Sequence, residues 1–266
     1  MRRHRGLMLG LTVFAVTVVS GLSVPELGRT ATIAAVTDPL VEQGLQQAEQ
    51  GQLEAAIATY TEAIAANPDN ADAYLYRGIA HHDLGDYEQA VDDFSAALQL
   101  RPDHVETLYS RGEAYSHLTD AEAAIADLTQ AIELDPDFVQ PYLDRGVVFA
   151  ATGQLPQALI DLDQAIALAP DNADAHYNRG KVHTELGNAD AALTDFDTAI
   201  QLNPEMAEAY GNRGLLRYQL GDPELALTDL QQAAELFEAR GDQQGYQQTL
   251  YFIQQVQQTI ELGDRS

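Results

Sequence analysis

Between residues 37 and 240, small and large apolar side chains recur at helical spacing, and the whole pattern repeats every 34 residues. Gly44, Gly78, Gly112, Gly146, Gly180 and Gly214 mark one position in six units. Twelve residues after each lies Ala (Ala56, Ala90, Ala124, Ala158, Ala192, Ala226), and seven further a second Ala (Ala63, Ala97, Ala131, Ala165, Ala199, Ala233). Between the two Ala stands a large residue: Tyr60, Phe94, Leu128, Leu162, Phe196 or Leu230. Five units close on proline, at Pro68, Pro102, Pro136, Pro170 and Pro204. A repeat of this length is a single supersecondary unit that buries its apolar face only against its neighbours. The three- and four-residue spacing predicts two helices per unit, here called A and B. The units run 37–70, 71–104, 105–138, 139–172, 173–206 and 207–240.

Glycine inside a helix costs about 1 kcal/mol relative to alanine. Six glycines in register therefore imply that helix A approaches helix B closely at that point. Gly51, Gly85, Gly153, Gly187 and Gly221 mark the turn between the helices, where a left-handed residue is wanted. Thr119 holds that place in the third unit. The Pro-Asp pairs are expected to end helix B and to supply an acidic cap for the next helix A. Asp69-Asn70-Ala71-Asp72 and Asp171-Asn172-Ala173-Asp174 have the carboxylates of calcium loops but lack the loop glycine and distal glutamate, so they read as caps.

In the second unit, Tyr74, Gly78, Leu84, Gly85, Tyr87, Ala90, Phe94, Ala97 and Pro102 carry a pattern that resembles the tetratricopeptide repeat family. The resemblance spans residues 37–240. It implies an all-α, right-handed superhelical solenoid of antiparallel helix pairs whose concave face, lined by helix A, binds protein segments. On that face the resemblance places Asp38, Asp72, Asp83, Glu106, Glu113, Asp144, Asp174, Glu185 and Glu208, with Glu42 and Glu49 beside them, against Lys181 alone. Tyr109 and Tyr177 are the expected apolar anchors, and Asn178 and Asn212 the expected hydrogen-bonding partners of an extended backbone. Relatives that grip a terminal carboxylate use a basic clamp, which this chain lacks.

Units two to six also share a covarying pair. Arg77, Arg111, Arg145, Arg179 and Arg213 precede the helical glycine, and sixteen residues later stand Asp93, Asp127, Asp161, Asp195 and Asp229. The first unit has neither, carrying Gln43 and Thr59 instead. Joint presence or joint absence predicts an ion pair between helices A and B. The other reading is an arginine ladder for anionic ligands.

Charge narrows the function further. The chain has 41 acidic and 14 basic side chains, a formal net charge of -27. That argues against a phosphate backbone or an anionic lipid surface as partner, since both need clustered Lys and Arg. Without Cys there is no disulfide, thiol nucleophile or thiolate metal site. No nucleotide-binding, zinc-protease or serine-hydrolase motif occurs, and carboxylates recurring along helix surfaces single out no catalytic pair. His81, His82 and His117 can lie near one another on adjacent helices A, but packed or exposed imidazoles are the plainer reading. No metal or cofactor is expected.

The two ends differ from the repeats. Three arginines in Met1 to Arg5 precede an uncharged stretch from Gly6 to Val24, so residues 1–36 read as a secretory signal or an uncleaved membrane anchor. Either exports the remainder. The last segment, 241–266, places Tyr246, Leu250, Ile253, Val256 and Ile260 on one stripe and is expected to be a capping helix. The sequence thus reads as an exported, non-enzymatic scaffold, monomeric or homodimeric, that binds an extended basic peptide. A role in assembling an envelope or membrane complex accompanies that reading. The alternatives are a carboxylate- or metal-dependent hydrolase and a homo-oligomer joined through the C-terminal helix.

Overall fold

The computed structural model describes residues 38–263, so the leader or anchor reading lies outside the described residues. The described residues are helical throughout, with short turns and no strand. None of their helices is long and apolar enough to cross a membrane. They form two compact units, 38–170 and 171–263. In the first, α1 (Pro39–Glu49), α3 (Ala71–Asp83), α5 (Val105–His117) and α7 (Val139–Ala151) are the A helices. Their B partners are α2 (Leu53–Ala66), α4 (Tyr87–Leu100), α6 (Ala121–Leu134) and α8 (Leu155–Leu168). In the second unit α9 (Ala173–Glu185) pairs with α10 (Ala189–Leu202), and α11 (Ala207–Leu220) with α12 (Pro223–Ala239). A last helix, α13 (Gln243–Gly263), follows. Within each unit every helix packs on the next, and the A helices of neighbouring repeats also touch.

The core of each pair is the contact the repeating glycines foretell. A Cβ placed on Gly78 would lie 2.7 Å from Phe94 Cε1, and one on Gly44 would lie 2.3 Å from Tyr60 Cε1. Phe94 and Tyr60 are wholly buried, walled in by alanines such as Ala90, Ala97, Ala56 and Ala63. These rings therefore have no free space into which to retreat. The alanine pair keeps helix B slim on either side of the large residue, so the two axes can close on it.

The helix ends depart from expectation in two ways. In repeats two to six the N-cap of helix A is the residue after the Pro-Asp or Pro-Glu pair, not the acid itself; among the A helices only α1 is capped by an aspartate, Asp38. Asn70 and Asn172 accept from the backbone N–H of Ala73 and Ala175 at 3.3 and 2.9 Å. His104, Phe138 and Met206 hold the same place without a side-chain cap. At the A–B turn Thr119 takes the left-handed conformation, φ 59°, that glycine takes in the other repeats. A β-branched residue meets its own carbonyl there, at a cost of about 1–2 kcal/mol.

The C-terminal helix lies on the last repeat. Val256 and Thr249 are buried, and Tyr246, Phe252, Ile253 and Ile260 pack against a cluster that includes Leu215, Leu230 and Phe237. Leu250, expected on this stripe, instead faces solvent, while Thr249 turns inward and donates to the Gly245 carbonyl at 2.7 Å. The backbone at Gly245 comes so near that an added Cβ would lie 2.5 Å from Phe237 Cδ1.

Two substitutions test this account by equilibrium denaturation. Gly78→Ala should destabilise by about 1–3 kcal/mol, because overpacking against Phe94 outweighs the gain in helix propensity. Thr119→Gly should stabilise by about 1 kcal/mol by removing the left-handed strain, and an unchanged midpoint would contradict it.

Candidate functional site

The arginines build a ladder through the repeats. Arg145 on α7 donates from Nε and Nη2 to the two carboxylate oxygens of Asp161 on α8, both at 2.8 Å. Arg77–Asp93, Arg111–Asp127, Arg179–Asp195 and Arg213–Asp229 have the same bidentate geometry, with separations of 2.6–3.0 Å. The aspartates are buried and the guanidiniums half-buried. Hydrogen bonding to Asp93 and Asp127 holds Arg77 and Arg111 further toward the charged form. These arginines therefore answer carboxylates of their own fold and are not a ladder for anionic ligands.

Sequence reading missed the other end of the clamp in four of the arginines. Nη1 of Arg77, Arg111 and Arg145 donates backward to Thr61, Ser95 and Thr129 on the preceding helix B, at 3.0, 3.1 and 2.8 Å. Arg213 reaches Asp197 in the same way at 2.6 Å. The signal was present, since each acceptor sits sixteen residues before its arginine. In the first repeat Thr59 donates instead to Gln47 at 2.7 Å.

The expected groove residues separate into three groups. Glu42, Glu49 and Asp83 in residues 38–170, and Asp174 and Glu185 in 171–263, stand exposed. Partial desolvation of its carboxyl by the surrounding chain, then the charge of Glu208, raises the pKa of Asp174. Two are paired with arginine, Asp72 with Arg101 and Glu208 with Arg240, while Glu106 lies 3.5 Å from His104, whose pKa burial lowers. Asp38 caps α1 through Leu40 N–H and accepts from Asn70 Nδ2, both at 2.9 Å. Asp38, Asn70, Asp72 and Arg101 border an open hollow of about 730 Å³.

The third group is interior, which corrects the expected roles. Tyr109 and Tyr177 are 0% and 1% exposed and cannot serve as apolar anchors for a ligand. Tyr109 packs edge-on against Phe138, and the Tyr177 hydroxyl accepts from Asn212 Nδ2 at 2.8 Å, so Asn212 too is committed inside. Asn178 donates to the Asp174 carbonyl of its own helix at 2.9 Å. Lys181 lies with its ammonium 5.4 Å from the Tyr177 ring centroid, and burial lowers its pKa. Glu113 and Asp144 are both buried. Burial first, then the charges of Asp144 and Asp83, pushes Glu113 up to about 9.

With this geometry in view the family is plain. Tetratricopeptide repeat models match residues 41–105, 80–137 and 181–245, and a further TPR repeat model matches 148–187. The chain belongs to the tetratricopeptide repeat family. A search of curated proteins finds no match. Solved structures share the fold. MamA from Desulfovibrio magneticus is 22% identical, with 64% of this chain and 96% of that one covered at a TM-score of 0.59. YrrB, described as a TPR protein with an unusual peptide-binding site, is 22% identical, with 72% and 97% covered at 0.56. A tetratricopeptide repeat protein from Parabacteroides merdae is 23% identical, with 79% and 83% covered at 0.63.

The ladder and the buried acid each give a test. Arg145→Leu should cost about 3–5 kcal/mol by stranding Asp161, and adding Asp161→Leu should recover most of it. Equal losses in the single and double variants would refute the pairing. Glu113 has a folded pKa above the ordinary 4.5, so the folded state holds its proton more tightly. Stability should therefore fall as pH rises between about 4.5 and 9. With EDTA present, Glu113→Gln should match the parent near pH 4 and exceed it by about 2 kcal/mol or more at pH 8, as read from urea denaturation.

Proposed function

We propose that this tetratricopeptide scaffold holds an extended, basic protein segment along its helix-A face, with a role in assembling an envelope or membrane complex. The observation that carries the reading is the set of exposed acids on successive A helices, Glu42 and Glu49 on α1 and Asp83 on α3. None of them pairs with Lys or Arg among the described residues. A face of one sign concentrates oppositely charged ligand and speeds its arrival. Exposed ion pairs contribute only about 0–1 kcal/mol each, so apolar contacts must add to the affinity. Half-buried Tyr76 on α3 takes over the anchoring role that buried Tyr109 and Tyr177 cannot fill. Peptide binding by a protein of this fold has a parallel in YrrB. The reading of residues 1–36 as signal or anchor supports export, and determining the N-terminus of the mature chain tests it.

The probe is a fluorescent peptide alternating Lys with Leu, titrated against the full chain by anisotropy. Charge reversal of Glu42, Glu49 and Asp83 together should weaken binding about tenfold or more, and 0.5 M salt should do likewise by shrinking the Debye length below about 8 Å. Reversal of the exposed helix-B acids Glu54, Glu62 and Glu88 should have little effect. Equal losses from the two triple variants would reduce the effect to overall charge and end the groove reading.

A further inference from the structure

We propose that His82, Glu113 and His117 form a binding site for a divalent transition-metal ion of the zinc, cobalt and nickel group. His82 lies near the end of α3, and Glu113 and His117 occupy one face of α5, four residues apart. One ligand atom from each can be chosen so that all three lie within 4.8 Å of one another. Two imidazoles and a carboxylate form the borderline-soft, mixed nitrogen–oxygen set that such ions favour, and three protein ligands leave a position for water.

The strongest observation is an unanswered pair of polar atoms. Glu113 Oε1 and His82 Nε2 are both buried, and neither has a hydrogen-bond partner. Glu113 is 4% exposed, and its other oxygen, Oε2, stands 4.0 Å from His82 Nε2, too far for a hydrogen bond. Such an orphaned buried group is rare in a folded protein and calls for an ion or water. No Lys or Arg pairs with Glu113 among the described residues, while Asp144 and Asp83 add negative charge to its surroundings. A cation is the species this environment lacks.

The rings are held in place from outside. His117 stacks on Tyr87 with centroids 4.2 Å apart and planes 1° from parallel. His82 meets both rings edge-on, at 5.4 Å from His117 and 5.2 Å from Tyr87. Asp83 Oδ1 stands 3.9 Å from His82 Nδ1, on the side away from Glu113. Ligand atoms about 2.0–2.1 Å from a tetrahedral zinc stand roughly 3.3 Å apart. Closing the present spacing takes shifts of about 1 Å in three side chains, with no movement of the helices. The ion would join helix A of the second repeat to helix A of the third, independently of any peptide.

The test uses tag-free full-length chain stripped with EDTA, titrated with zinc chloride by calorimetry and with cobalt(II) by visible absorption. The expected result is one ion per chain, micromolar or tighter, cobalt bands of a site with fewer than six ligands, and a melting temperature that rises with zinc. Glu113→Gln, which keeps the shape of the side chain, and His117→Ala should each weaken binding at least tenfold and abolish the thermal shift. His183→Ala, in the other compact unit, should leave all three readings unchanged. Circular dichroism confirms that each variant is folded. A parent chain that binds no zinc below millimolar concentration, or folded Glu113→Gln and His117→Ala chains that bind as the parent does, would overturn the site.

Discussion

The contact on which the other features depend is the closure of helix A onto a large residue of helix B at a glycine. Where Gly78 meets Phe94, or Gly44 meets Tyr60, no atom can be added without displacing a ring that has nowhere to go. This fixes both the distance between the helices and their register. Only at that distance do Arg145 and its counterparts meet their aspartates sixteen residues on with both nitrogens. A helix pair one methyl group wider would leave the carboxylates buried and imperfectly paired, which costs more than having no charge there at all. The packing position thus comes first, and the ion pair is possible because of it.

The arginines turn a repeated hairpin into a connected array. The guanidiniums of Arg77, Arg111, Arg145 and Arg213 are divided between the carboxylate of their own hairpin and an acceptor on the hairpin before it. Such a bond makes neighbouring repeats sensitive to one another's alignment, as nearest-neighbour coupling in a solenoid requires. The first repeat has no arginine at this place. Its Thr59–Gln47 hydrogen bond satisfies the same buried spot without a charge. The other end is closed by α13, whose Val256 and Ile253 cover the last pair.

The architecture was legible because packing repeats with the chain, and six copies of one constraint leave a period that anyone can count. The arginine–aspartate pairs were legible for the same reason. The groove was not. Helix-A positions facing a ligand in the family and those facing the neighbouring A helix differ by a small rotation, and sequence spacing does not resolve it. Tyr109, Tyr177 and Asn212 fell on the inner side of that boundary, Glu42 and Asp83 on the outer. Leu250 was lost similarly, because Thr249 satisfies its hydroxyl on its own helix and so can take the buried place. Side-chain chemistry alone does not predict such a substitution of polar for apolar.

The acids of the A helices do not act as one surface. Asp72 and Glu208 are paired with Arg101 and Arg240, so their charge is largely spent within the fold. Glu42, Glu49 and Asp83 have no Lys or Arg partner among the described residues, so their charge is not cancelled close by. Glu113 belongs to neither set. Its burial beside Asp144 keeps it protonated at neutral pH, so it adds hydrogen-bonding capacity but little field. A cation lodged between Glu113 and the two histidines would draw off that proton and restore the charge to the interior, where the ion itself would balance it.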